Sequence, residues 1–332
     1  MIQLRKQSNI VIINRITQEE VRQRLKLKNP VFLSEVGLVV TTLIWGLAFV
    51  VVKNTTACVP TNYIIAIRFG IAAVLMLVLF FPKIRKIDLH SIRSGAILSV
   101  ILYTSYFFQT YGVQFTTAGN NAFLTAVYVV FVPFLYWIVQ KVKPSVNNII
   151  SAFICITGVG LLSLHPGYSV NIGDMFSLLS GLTFGLHIVI IGILSEKSDP
   201  ILLSFTQFFF TALISLAVAS GTEQFPAKLE TPTILSLLYV SVFSTMLAMV
   251  LQTACQKYIP PSRASLIMSM ESLFGTMFGI IFLGEPLTIK IFLGFLLIFA
   301  AILLSETKFS FLKLNFIHTI KQRAAALKKE ES

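Results

Sequence analysis

The sequence predicts an all-α integral membrane protein, with ten transmembrane helices in two inverted five-helix repeats. Three observations predict it. First, the chain of 332 residues is 55% hydrophobic and only 12% charged, against about 25% charged for a typical soluble domain. With a mean hydropathy of +0.83, it lacks the polar surface that a soluble globule needs. Second, its apolar residues fall into ten runs, each near the roughly 20 residues that cross about 30 Å of hydrocarbon. Third, short motifs of the first five runs recur in the last five.

The runs are Val36–Val52, Tyr63–Phe81, Ser94–Val113, Ala118–Val139, Ile149–Leu164, Ile172–Leu194, Ile201–Ser220, Ile234–Ala254, Ala264–Leu283 and Ile289–Ser305. Short connections separate them, punctuated by Pro60, Pro82, Pro144, Pro166-Gly167, Pro200, Pro260-Pro261 and Pro286, residues that mark turns. The expected organisation is a basic segment over 1–32, repeat 1 over 33–168, repeat 2 over 169–306 and a basic tail over 307–332. Thr17-Gln18-Glu19-Glu20 has the capping-box form. It predicts a short helix from Gln18 to about Lys28 on the membrane surface, with Arg22, Arg24, Lys26 and Lys28 toward anionic lipid; a mobile tail is the alternative. Before Val31 the one apolar patch is Ile10–Ile13, too short for the core of a signal peptide.

The net charge of +12 does not call for nucleic acid, because basic residues of membrane proteins collect in cytoplasmic loops. Alternate loops carry Lys83, Arg85, Lys86 and Arg93, then Lys141 and Lys143, then Lys197, then Lys257 and Arg263. The opposite loops carry Lys53, Lys228 and Lys290. Both termini are therefore expected in the cytoplasm, with the chain in the inner membrane and the lipid bilayer as its surroundings. A homodimer is compatible with the sequence but not specified by it. The three cysteines, Cys58, Cys155 and Cys255, are odd in number and spaced for neither zinc nor a disulfide framework.

The repeat is legible as matched motifs. Leu43-Ile44-Trp45-Gly46-Leu47 corresponds to Leu182-Thr183-Phe184-Gly185-Leu186, and Arg68-Phe69 to Gln207-Phe208, both at a shift of 139. Gln109-Thr110 corresponds to Gln252-Thr253 at 143, and Leu161-Leu162-Ser163 to Leu303-Leu304-Ser305 at 142. Five helices per repeat is an odd number, so the second repeat enters the membrane upside down. That is the plan of secondary transporters whose site lies near the midplane between the halves.

Aligning the halves gives the candidate site. Asn121, Thr125 and Tyr128 fall on Ala264, Met268 and Glu271, and spacings of four and three put each trio on one helix face. Tyr103, Tyr106 and Gln109 fall on Met246, Met249 and Gln252, while Trp45 and Ala48 fall on Phe184 and His187. The candidate substrate-binding residues are Trp45, Tyr103, Tyr106, Asn121, Thr125, Tyr128, His187, Met249, Met268 and Glu271. Arg68, Gln109 and Gln252 are assigned as structural polar residues. Each has a plainer reading beside it. Aromatic and Met stripes pack cores, and membrane Asn and Gln bond neighbouring helices for about 0.6 kcal/mol. Glu271 is the sharpest case, since a carboxylate in hydrocarbon costs roughly 2.5–3.5 kcal/mol. It must face protein, water or a ligand, and serves either as a proton-coupling group or as a bond to a neighbouring helix.

No G-x-x-x-x-G-K-[ST] loop is present, so ATP does not drive the chain directly. No H-E-x-x-H or cysteine pair suggests a metal, no G-x-S-x-G suggests a hydrolase, and no cofactor is expected. Of His90, His165, His187 and His318, only His187 is placed mid-membrane.

Trp45-Gly46, Arg68-Phe69, Thr117-Ala118-Gly119-Asn120, Met270-Glu271 and Gly284-Glu285-Pro286-Leu287-Thr288 form an ordered set. As a set they resemble the EamA family of the drug/metabolite transporter superfamily, over about residues 33–306. The sequence departs where the family usually has Pro after the ninth-helix Glu, here Ser272, and where the fourth helix often has Pro, here Val129. Both helices are therefore expected to run straighter. The resemblance implies a basket-like exporter with a central cavity lined by helices 1, 3, 4, 6, 8 and 9, moving small organic metabolites by alternating access.

The reading is a secondary active transporter and not an enzyme, expected to export a small-molecule substrate such as an amino acid. An aromatic, Met-lined cavity with one acid suits an amphipathic solute. Three alternatives stay open: a transporter of anionic, nucleotide-sugar-like cargo, an intramembrane enzyme using Glu271 and His187 on a lipid or small substrate, and a sensor or assembly protein.

Overall fold

The computed structural model describes residues 30–163 and 171–306. They form α1 Pro30–Thr55, α2 Thr61–Leu79, α3 Leu89–Phe115, α4 Ala118–Gln140, α5 Val146–Ser163, α6 Ile172–Ser195, α7 Pro200–Thr222, α8 Thr231–Gln256, α9 Pro261–Leu283 and α10 Ile289–Glu306. Among the described residues there is no strand. Eight helices, all but α5 and α10, are long and apolar enough to cross a membrane. The remaining two are shorter apolar helices that pack on each other. The all-helical membrane fold is as composition predicts, and the expected ten spans are met by eight helices on these criteria. The surface helix expected near Gln18–Lys28, the Pro166-Gly167 turn and the basic tail lie outside the described residues.

Helix starts fall where a side chain can serve the free amides. Asp88 accepts from the Ser91 N–H, Thr117 from Asn120, Asn171 from Gly173 and Asp174, and Asp199 from Ile201 and Leu202. These caps explain why α3 begins at Leu89, ahead of the apolar run that starts at Ser94. Partial burial pushes the Asp199 carboxyl up, but its 2.6 Å ion pair with Lys83 and the α7 amides hold it below the usual carboxylate range.

Cross-links between helix ends define two sides. On one, the ends of α1, α3, α7 and α9 meet the starts of α2, α4 and α6. Lys53 Nζ donates to the Val113 and Thr116 carbonyls at 2.8 and 2.5 Å. Glu223 accepts from the Asn62 and Tyr63 N–H groups, and Glu285 from those of Ala118 and Gly119. Such carboxylates suit the positive end of a helix dipole. The Thr116 hydroxyl donates to Asp174. On the other side Lys83 pairs with Asp199, and Arg263 with Glu35. Because connections are short, this second side also holds the basic loops, and it is called the basic side below.

Glu285 is delivered by the end of α9. Gly284 takes a left-handed φ of 63°, a conformation that glycine adopts without penalty. The Gly284 N–H then bonds the Ile280 carbonyl and the Glu285 N–H that of Gly279, a left-handed helix ending that lays Glu285 across to α4.

Two helices depart from the straight course expected of them. α4 is interrupted at Val127 (φ −57°, ψ −14°) and α9 at Ser269 (φ −62°, ψ −14°). The absence of Pro at 129 and 272 therefore does not keep them regular. At each break the ladder tightens to a three-residue bond, Val130 N–H to Val127 at 2.8 Å and Ser272 N–H to Ser269 at 3.0 Å. In α9, Ser269 and Ser272 hydroxyls donate to the Leu266 and Ser269 carbonyls, so serines serve the loosened backbone. The two breaks lie 142 residues apart, the spacing of the matched motifs.

α8 has its own irregularity, a π-helical segment over Val240–Leu247. The Thr245 hydroxyl donates five residues back to the Val240 carbonyl at 2.7 Å. The widened turn faces Arg68 of α2, whose Nε donates to Thr245 Oγ1 at 2.8 Å and whose Nη2 donates to Ser244 Oγ at 3.1 Å.

Candidate functional site

Between α1, α2, α3, α4, α6, α8 and α9 lies a cavity of about 40 Å³, so the walls stand close together. Of the ten candidate substrate-binding residues, Trp45, Tyr106, Asn121, Thr125, Tyr128, His187, Met249, Met268 and Glu271 line this space. The three assigned as structural, Arg68, Gln109 and Gln252, line it too. Tyr103 does not; its hydroxyl donates to Asn62 Oδ1 at 2.8 Å, away from the cavity.

The walls are largely fixed by bonds to neighbours. Trp45 Nε1 donates to the Ser244 carbonyl at 2.9 Å. The Tyr106 ring meets Phe69 and Phe184 edge to face, each at 5.1 Å, and the Arg68 guanidinium sits 4.2 Å from its centroid, a cation–π contact. Asn121 Nδ2 donates to Ser177 Oγ at 2.6 Å, Thr125 shares a bond with Ser180 at 3.0 Å, and Gln252 Nε2 donates to Gln256 at 2.9 Å. His187 Nε2 meets Gln207 Oε1 at 3.0 Å. That contact joins the sixth-run histidine to the residue matched with Arg68.

Three acceptors on α4 and α9 stand apart. Asn121 Oδ1 is buried with no hydrogen-bond partner, and the Tyr128 hydroxyl makes no bond of ordinary geometry. Glu271 is 4% exposed and makes a long contact with the Tyr128 hydroxyl. Buried polar groups are normally paired, so unpaired ones converging on one void mark where a donor from a guest would bond. Such a donor is an ammonium or hydroxyl. Arg68 is the one permanent cation among the lining residues, with two donors engaged on α8.

Sequence reasoning missed Ser244. Counting back from Met249 by α-helical steps reaches Thr245 and Met246. The π-helical turn carries an extra residue and brings Ser244 to the wall instead. Phe49, Val52, Val113 and Ile188 were also missed; nothing distinguishes an apolar cavity residue from a packed one in sequence.

A polytopic helical membrane protein with a polar-lined cavity buried among its helices has the form of a membrane transporter. The EamA-like transporter family profile matches residues 33–164 and 171–307, and the chain belongs to that family. It is 34% identical over 276 residues to an uncharacterized transporter of Archaeoglobus fulgidus, covering 82% of this chain and 85% of that protein. It is 25% identical over 282 residues to the uncharacterized transporter YoaV of Bacillus subtilis, covering 82% and 97%. A solved crystal structure superposes with a TM-score of 0.62 at 11% identity, over 82% of this chain and 96% of that one; this likeness is one of fold alone.

Proposed function

We propose that the chain is a secondary active transporter that exports small organic metabolites such as amino acids by alternating access through the central cavity. One observation carries this reading: the partnerless Asn121 Oδ1 and the Tyr128–Glu271 pair line a single buried space. An ammonium group would satisfy all three, and the free donors of Arg68 would take a carboxylate. The paired breaks at Val127 and Ser269 support alternating access by two inverted halves, since they give α4 and α9 matching places to bend. Glu271 would carry the coupling proton.

The experiment that tests the reading is uptake of radiolabelled amino acids by proteoliposomes. Wild type should transport at least one of them. Tyr128→Phe should raise the half-saturating concentration about tenfold, the effect of one lost bond near 1.4 kcal/mol. Its melting temperature should change little, because the hydroxyl has only a long contact with Glu271 to lose. No uptake by folded wild type, or an unchanged affinity in Tyr128→Phe, would remove this cavity from the role.

The direction of insertion has a simple check. Cys58 is exposed in the α1–α2 connection, whereas Cys155 and Cys255 are buried. With the basic side in the cytoplasm and the chain in the inner membrane, a membrane-impermeant maleimide should label Cys58 from outside. Lys86→Cys in a Cys58→Ser background should react only after permeabilisation. The reverse pattern would invert the proposed orientation.

A further inference from the structure

A second and wider void lies on the side opposite the basic loops. It sits between the end of α1, the α3–α4 turn and the starts of α6 and α10, as an open recess of about 420 Å³. Lys53, Thr117, Asn120 and Thr288 line it, with Phe115 and Ile291 as an apolar flank.

Its free hydrogen-bonding groups are mostly donors. Lys53 Nζ gives two hydrogens to the Val113 and Thr116 carbonyls, and an ammonium has three. Among the described residues no carboxylate lies within ion-pair distance of Lys53. Asn120 is 9% exposed and its Oδ1 is buried without a partner, and its amide N–H groups donate to no described residue. The Thr117 and Thr288 oxygens accept from the Asn120 and Ile291 amides, which leaves their own protons free. The nearby acids are engaged elsewhere, Glu285 on the start of α4 and Asp174 on Thr116. Lys290 adds a second positive charge to the lining. A ligand that answers several donors beside two lysines is an anionic oxygen group, and charge-assisted bonds of this kind are roughly twice as strong as neutral ones.

We propose that this vestibule binds the carboxylate of a small organic anion. Its place in the fold suggests what the binding is for. Val52, Val113 and Asn121 of the central cavity are the chain neighbours of Lys53, Gln114 and Asn120 here. Val52 and Val113 pack together with Val240 as a thin apolar partition between the two spaces. The vestibule is the first polar stop beyond that partition, and Lys53, tied to the carbonyl of Val113, connects its occupancy to the partition. Its use on the exit path rests on the transport reading above; the binding itself does not.

The test uses the full chain in neutral detergent with para-fluorobenzoate as probe, read by fluorine line broadening. Broadening is expected with the carboxylate and not with para-fluorobenzamide. It should weaken about tenfold in Lys53→Met and in Asn120→Ala and persist in Glu271→Gln. If Lys53→Met does not fold, Asn120→Ala and Lys290→Met carry the comparison. Absence of broadening, or equal broadening in every variant, overturns the proposal. Broadening lost in Arg68→Gln but kept in Lys53→Met would assign the probe to the central cavity and overturn it as well. In nanodiscs, displacement of the probe by phosphatidylglycerol but not phosphatidylcholine would make the occupant a lipid headgroup and overturn the solute assignment. Because the readout is binding and not flux, its failure leaves the uptake result untouched.

Discussion

Glu271→Gln is expected to fold, to retain substrate exchange and to lose flux driven by a pH gradient, down to the level of empty vesicles. The side chain is 4% exposed on α9 and meets the Tyr128 hydroxyl. A carboxamide has the same shape, so the surrounding packing is kept. It carries no charge into the low-dielectric interior, so the burial penalty of a carboxylate disappears and the melting temperature should hold or rise. What it cannot do is release a proton, and a coupling group must alternate between charged and neutral forms during the cycle. The measurement is substrate flux in reconstituted vesicles with and without a pH gradient, wild type beside variant. Equal gradient-driven flux would remove Glu271 from the coupling step. Loss of folded protein would make it a structural carboxyl, the plainer reading that its sequence position also allows.

Gly173→Ala is expected to be strongly destabilising, although it adds a single methyl group. Where that carbon would stand, the Gly112 carbonyl oxygen lies 2.6 Å away, the Phe115 carbonyl carbon 2.7 Å and the Thr116 nitrogen 2.8 Å. All three are backbone atoms, so no side chain can turn aside. Overpacking typically costs about 1–3 kcal/mol, and here the start of α6 must back away from the end of α3. That movement also stretches the bonds from Asn171 Nδ2 to the Phe115 carbonyl and from Thr116 to Asp174. Gly221→Ala is the matched comparison. Nothing lies within 4 Å of its added carbon, and removing a helix glycine gains up to about 1 kcal/mol. Thermal unfolding of the two purified variants should separate them, with Gly173→Ala below wild type and Gly221→Ala at or above it. Equal shifts would mean that the α3–α6 approach is not close in solution.

What the sequence carried was periodicity. The three-and-four spacing of Asn121, Thr125 and Tyr128, and the match of Met268 and Glu271 to them across the repeat, needed only that α4 and α9 be helical on the face concerned. Those residues do share one cavity. What it could not carry was departure from regular geometry. The breaks at Val127 and Ser269 come without a proline at the positions where one was looked for, and at Ser269 serine hydroxyls serve the backbone. The π-helical turn depends on Arg68 reaching across from α2, a contact that no local pattern announces, and it rotated Ser244 into the wall. Tyr103 shares a helix face with Tyr106, yet its longer reach is taken up by Asn62, whose amide in turn bonds Glu223. A face is set by spacing, but the partner of a long polar side chain is set by which helix end happens to be near.

The closeness of the cavity walls has a consequence for kinetics. The cavity offers about 40 Å³ on a measure by which one water needs about 10–15 Å³, room for a few waters at most. A metabolite therefore enters only molecules in which the helices have parted. Apparent affinity is then the intrinsic affinity multiplied by the open fraction, so a conformer present in one molecule in ten weakens measured binding about tenfold. Tight walls at rest and weak apparent affinity thus come from one property of the packing.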